Sequence, residues 1–348
     1  MSKMQAKKWI SRCIQWSGLG LGHEILNGQQ LIILTYHRVL PAKQAMKYPL
    51  QGMVMTKELF DSQMAYLSKK YAVLIFPEAM KLMEEKKLPK RSVVITFDDG
   101  YQDNHTFAYP ILKKYNIPAT FFLVSGAIDR DIVLWWDEIT CIVDHIYKTS
   151  RKTEKIDNLP EWFRRIVDSN KREKKSYELS KEIIEYMHLL DLEERKKILL
   201  SLRSHRNYDT IKLVNPMMTW EQVRNLCEGE MHIGAHTVTH AFINELNTEK
   251  AFHEIEGSIN RIAEQINRDV DFFAYPRGRL DDRLKSILKK SGVKVAVSTE
   301  HGRNQYDSDM LKLKRIDGGY CSLSGGFDPG VFNTELQGWF QRFRKTAY

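Results

Sequence analysis

The chain has 348 residues, 43% hydrophobic and 28% charged, which is enough apolar side chain to bury a full core and too much for a largely disordered polymer. Its formal charge of +9 suits an anionic surface or an acidic glycan, but the basic residues are not interleaved with any binding motif, so no nucleic acid is expected as a partner. Cys13, Cys141, Cys227 and Cys321 form no C-x-x-C pair, which argues against a zinc ribbon or a disulfide framework and fits a reducing compartment.

Residues 1–30 read as an N-terminal amphipathic helix and linker. Trp9, Ile10, Cys13, Ile14 and Trp16 fall near one helical face, and Lys3, Lys7, Lys8 and Arg12 supply positive charge, a pattern suited to peripheral contact with a membrane. No run approaches the roughly 20 apolar residues needed to cross a bilayer. Lysines interrupt any signal-peptide core, so the expectation is a cytoplasmic protein, peripheral on the inner membrane face.

From residue 31 onward, short apolar runs alternate with helical patterns. Leu31 to Tyr36, Ser92 to Phe97, Ala119 to Val124, Met231 to Ala235, Phe272 to Tyr275 and Val293 to Val297 read as buried strands. Lys57 to Lys70, Phe107 to Tyr115, Thr248 to Asn267 and Asp281 to Ser291 read as helices between them. That order predicts an α/β fold in which a parallel sheet closes into a (β/α) barrel. Residues 31–133 would be its first part, and 220–348 its second part with a C-terminal helix. Between them, 134–219 is helical and densely charged and reads as a helical insertion, placed by expectation over the barrel mouth.

Two strand ends carry chemistry. Thr96-Phe97-Asp98-Asp99-Gly100 puts two acids at the end of an apolar strand, and Gly100 lets the chain leave the pleat so that both carboxylates can face one site. His236-Thr-Val-Thr-His240 follows another strand. In extended form its imidazoles would lie roughly 13 Å apart, so a shared metal predicts a helical turn there. Two histidines plus an aspartate make a three-ligand set with room for water and substrate, as catalytic sites have.

With Phe273-Ala-Tyr-Pro-Arg-Gly278, these segments resemble the motifs of the polysaccharide deacetylase family, the NodB-homology or carbohydrate esterase family 4 group, over about residues 31–125 and 216–320. The resemblance implies a distorted (β/α) barrel and hydrolysis of an N-acetyl group on an amino sugar. It also implies Asp98 as general base, Asp99, His236 and His240 as ligands of a divalent metal, usually zinc with cobalt or nickel as alternatives, and the backbone N–H of Arg277 as an oxyanion donor. Two departures mark a variant subgroup. Leu311-Lys-Leu-Lys-Arg-Ile316 lacks the family's histidine acid, and Ala274 stands where many members have an arginine that orients the base.

His37, at the end of the first strand, faces the same mouth as the acids and is the candidate acid, ahead of His301 and His105. Tyr101, Trp135, Trp136, Tyr275 and Arg277 are candidate substrate contacts, the aromatic residues by stacking on sugar rings and Arg277 by pairing with an anionic group. The expected substrate is a glycan or lipid-linked saccharide, with an O-deacetylase or a carbohydrate-binding relative without turnover as the other readings.

Overall fold

The computed structural model describes residues 3–17, 29–129, 133–149, 161–170, 175–204, 217–319 and 326–340. The linker of the N-terminal segment and Cys321 lie outside them. The chain divides into two compact units: Met1–Ala45, Gly52–Asp129 and Met217–Tyr348 form one, and Met46–Gln51 with Arg130–Pro216 form the other.

Among its described residues the larger unit holds ten strands: β1 (Ile32–Tyr36), β2 (Arg38–Leu40), β3 (Val54–Thr56), β4 (Ala72–Val73), β5 (Ser92–Phe97), β6 (Thr120–Leu123), β7 (His232–Ala235), β8 (Phe272–Ala274), β9 (Val295–His301) and β10 (Leu313–Asp317). Seven of them form a closed parallel barrel in the order β1, β5, β6, β7, β8, β9, β10, with β10 returning to β1. β4 lies along the start of β5, and β2 pairs with β3 in a separate two-stranded sheet.

Every residue of β1 and β5 is buried, because a parallel barrel strand is covered on both faces. The pleat sorts these side chains into two sets. Ile33, Val94, Phe122, Val297 and Leu313 pack inward with Phe76 and Met80 of the helix Phe76–Glu84, whereas Leu34, Ile95, Phe121, Ile233 and Phe273 pack outward against the surrounding helices. Farther along the same inward rows stand Thr35, Thr96, Asp98 and Arg315, all buried, with Arg315 donating to each of the other three. The barrel interior is thus apolar in its lower layers and polar at the carboxyl ends of its strands, where the site sits.

Two of the barrel strands differ from the sequence reading. β9 runs on to His301, and β10 was not anticipated, because Lys312 and Lys314 interrupt its apolar pattern and Arg315 is an inward-facing charge.

The second unit is helical, with Trp135–Thr149, Glu161–Asn170, Ser176–Met187 and Leu192–Arg203 among its described residues. Ile139, Ile142 and Val143 meet a buried stripe of Leu179, Ile183, Ile184 and Met187 at helical spacing. Arg203 makes two 2.8 Å hydrogen bonds to the buried Glu138 carboxylate.

Candidate metal and catalytic centre

Asp99 takes a left-handed conformation (φ 73°) and Gly100 follows at φ 89°, so the chain leaves the pleat at the end of β5 and Asp99 turns toward the same mouth as Asp98. His236 follows β7 directly, and its N–H donates to Leu123 O (2.9 Å). The expected helical turn between the histidines is absent. Instead Thr237 (φ 68°) and His240 (φ 59°) are both left-handed, and the loop folds back so that the two imidazole centroids lie 4.9 Å apart.

Each Nε2 stands 3.5 Å from Asp99 Oδ1, and the three donor atoms all lie within 4.8 Å of one another. Bonds of about 2.1 Å in tetrahedral geometry set ligand atoms about 3.4 Å apart, so one zinc-sized ion fits this set. Burial pushes the His236 imidazole down to about 4, and that of His240 also falls well below its ordinary value, chiefly through burial. Both rings are therefore neutral near pH 7, as ligands must be. His236 Nδ1 lies 2.7 Å from Ala274 O. A neutral ring can only donate there, which leaves the Nε2 lone pair facing Asp99.

Asp98 is held from β10, which only β1 separates from β5. Arg315 donates from Nη1 to Oδ1 and from Nη2 to Oδ2, both at 2.7 Å, while its Nε donates to Ser298 O (2.8 Å) and Nη1 also reaches Thr35 Oγ1 (3.0 Å). Burial would raise the Asp98 carboxyl, but Arg315, with His236 and His37, pulls harder and holds it far below the usual carboxylate range. His37, one residue past β1, places Nε2 4.0 Å from Asp98 Oδ2 with a quarter of its side chain exposed. Burial lowers its pKa, Asp98 opposes that, and Arg315 adds to it.

The sequence profile described as polysaccharide deacetylase matches residues 85–188 and 196–296, more than half of the chain. The chain belongs to the polysaccharide deacetylase family. It is 22% identical over 310 residues to the Bacillus subtilis protein YxkH, which is grouped with the polysaccharide deacetylases, covering 88% of this chain and 76% of that one. It is 34% identical over 109 residues to the poly-β-1,6-N-acetyl-D-glucosamine N-deacetylase of Staphylococcus aureus, a match covering 29% of this chain and 38% of that enzyme. Among solved structures, the Streptococcus pyogenes deacetylase PplD in complex with acetate aligns with a TM-score of 0.53 at 20% identity, covering 83% of this chain and 92% of that one. IcaB from Ammonifex degensii aligns at 0.53 and 18%, covering 90% and 97%. At these identities the two structures speak for the fold, which is that of the family's (β/α)7 barrel.

Within this polysaccharide deacetylase, the expected substrate contacts each have neighbours within their own unit. Tyr275 is fully buried and spends its hydroxyl on Leu311 O (2.9 Å), so it offers no face to a sugar. Tyr101 is also fully buried, its ring under the Arg38 guanidinium at 4.4 Å. Trp136 is 3% exposed within the helical unit, and Trp135 of that unit sets its ring edge-on to Trp136 and His188. Tyr275, Trp135 and Trp136 sit in apolar runs, where packing outweighs stacking on a ligand, whereas Tyr101 lies in a polar run and is covered by Arg38. Arg277 is left-handed (φ 55°) in the turn Pro276–Gly278, and its guanidinium lies 5.5 Å from the Phe242 ring. His105 Nε2 meets Asn225 Oδ1 at 2.9 Å, and His301 Nε2 faces the buried Glu335 at 3.8 Å, so each has a local partner. Arg315 is the residue that the sequence reading missed. Its one available signal was a charge within an otherwise strand-like run beside the departure at Ala274.

Proposed function

We propose that the protein is a metal-dependent hydrolase that removes N-acetyl groups from the amino sugars of a polysaccharide or lipid-linked glycan. The observation that carries this reading is the Asp98–Arg315 pair beside the Asp99, His236 and His240 donor set, with His37 4.0 Å from Asp98. The relative named poly-β-1,6-N-acetyl-D-glucosamine N-deacetylase supports a β-linked N-acetylglucosamine polymer as the first substrate to try.

The reaction adds water to an amide carbonyl and breaks its C–N bond, giving acetate and a free sugar amine. Asp99, His236 and His240 would hold a divalent cation, which supplies a polarised carbonyl and a more acidic water. Asp98 takes the proton that water loses. Each of its oxygens accepts one hydrogen bond from Arg315 and keeps capacity for another. Arg315 fixes the plane of that carboxylate, so the base meets water in one orientation. The departing nitrogen needs a proton, and His37, neutral at rest with Nε2 4.0 Å from Asp98 Oδ2, would take up the proton that Asp98 removed from water and pass it on to that nitrogen, which returns both groups to their starting state. These two residues take the places left open by Ala274 and the missing late histidine, which favours turnover over the reading of a binding-only relative.

The test is acetate release from N-acetylglucosamine oligomers by zinc-, cobalt- or nickel-loaded protein. Asp98→Asn is expected to abolish release while metal stays bound; full activity in that variant, or no release by the wild type with any metal and any acetylated glycan, would overturn the reading.

Peripheral membrane contact belongs to the same proposal. In the helix Lys3–Trp16, Ser11 and Ile14 are buried and Ser11 meets Thr334 at 2.8 Å, while Trp9 and Trp16 are 65% and 94% exposed on the opposite side with Arg12. The five apolar residues expected on one face are therefore divided between two. Indole rings beside a cation suit a phospholipid headgroup layer, and loss of vesicle binding in Trp9→Ala/Trp16→Ala would support this.

A further inference from the structure

We infer that Glu254 is the positioning residue that holds His236 and His240 in register to share an ion, an inference that rests on the metal reading of the site. Residues 236–240 carry a strained conformation. Two non-glycine residues in them, one of them the β-branched Thr237, are left-handed, each a conformation that persists only when its surroundings impose it. Extended, the same residues would carry the imidazoles roughly 13 Å apart. Something must hold the loop folded.

The loop's own hydrogen bonds show what does. Val238 N–H and Thr239 N–H both donate to Glu254 Oε2 at 2.9 Å, and Thr239 Oγ1–H donates to Oε1 at 2.7 Å. On the other side, Ser125 N–H donates to Thr237 O (3.1 Å) and Gly126 N–H to Val238 O (2.8 Å). A Cβ at Gly126 would lie 2.4 Å from Val238 O, so only glycine lets the two backbones approach this closely. The carbonyls of the loop are thus tied to the segment after β6 and its amides to one carboxylate.

Glu254 is well placed for that task. It lies on the helix Thr248–Ile266, whose N-cap Asn247 accepts from Lys250 N–H and whose Ala251, Ile255, Ile259 and Ile262 are buried in the outer core. Glu254 precedes Ile255 directly, at the edge of that buried stripe, so its carboxylate is presented by a rigid element. It is not one of the three donors that could hold an ion. Its action on the site passes through the loop backbone, as outer-shell partners of metal ligands act.

The experiment measures zinc and cobalt(II) affinity of the full-length protein by competition with a chelator, together with the cobalt(II) visible spectrum, for wild type and Glu254→Gln. The glutamine keeps the size of the side chain but replaces one acceptor oxygen with a donor. The expected result is affinity about 10- to 100-fold weaker and a shifted cobalt spectrum, while thermal unfolding of the chelator-treated variant stays close to wild type. Thr239→Val, which removes only the hydroxyl bond, is expected to lose about fivefold and carries the test if Glu254→Gln fails to fold. Wild-type affinity and spectrum in whichever of these variants folds would overturn the inference. If wild type itself binds neither ion, the metal reading fails rather than the clamp.

Discussion

Replacing Arg315 with methionine removes a buried cation and leaves the Asp98 carboxylate without its two 2.7 Å partners. Charge-assisted hydrogen bonds contribute about 1.5–3 kcal/mol each, and breaking a buried ion pair from one side costs about 3–5 kcal/mol because the other charge is stranded. A loss of about 4 kcal/mol at pH 7 is therefore expected, read by urea unfolding of chelator-treated protein. The sign of its pH dependence follows from Asp98. In wild type the folded carboxyl lies below its unfolded value, so its contribution to stability is present above that value and is lost only as pH falls through the folded pKa. In the variant burial acts unopposed by Arg315 and the folded carboxyl rises above its unfolded value, so stability is lost as pH rises. The gap between the two proteins should be widest near neutrality and narrow toward pH 4. Asp98→Asn combined with Arg315→Met should cost at least about 2 kcal/mol less than the two single losses added together. A cost under about 1 kcal/mol with additive single effects would refute a desolvated, coupled pair.

His37→Gln is expected to lower acetate release by about 10²- to 10⁴-fold with metal affinity unchanged; equal turnover would remove His37 from the proton path. Tyr275→Phe should cost about 1 kcal/mol of stability through the lost bond to Leu311 and leave KM for oligosaccharide unchanged, whereas a raised KM would return Tyr275 to the substrate. His232, set edge-on to Phe272 at the start of β7, has its pKa pushed down to about 4 by burial against the pull of Asp271. The unfolded ring binds its proton near pH 6.5, so the stabilising effect of keeping it neutral is complete above that pH and falls away toward pH 4, by up to about 3 kcal/mol. His232→Asn should flatten the unfolding free energy over that interval, and a curve parallel to wild type would show the ring to be solvated.

The cluster of Asp99, His236 and His240, which could hold a metal, was legible in the sequence because its members follow from a local rule. An apolar strand ends, an acid or an imidazole comes next, and in a parallel barrel such ends converge on one mouth. The same argument put His37 at that mouth, where its Nε2 lies 4.0 Å from Asp98. Burial was harder to read. Tyr101, Tyr275 and Trp136 carry both an apolar body and a polar tip, and whether a ring faces a sugar or the core depends on neighbours that their own segments do not contain. The loop 236–240 misled for a related reason. Spacing of i and i+4 suggested a helical turn, while the backbone reached the same proximity through two left-handed residues braced by Glu254 and Gly126.

By itself the sequence determined the alternation of strands and helices and which three residues could share an ion, since hydrophobic period and strand-end position are properties of short segments. Only the tertiary structure decided what orients the Asp98 carboxylate. Arg315 and Asp98 are 217 residues apart along the chain and meet because β10 closes the ring against β1, carrying an inward-facing guanidinium across the interior to a carboxylate that burial would otherwise neutralise.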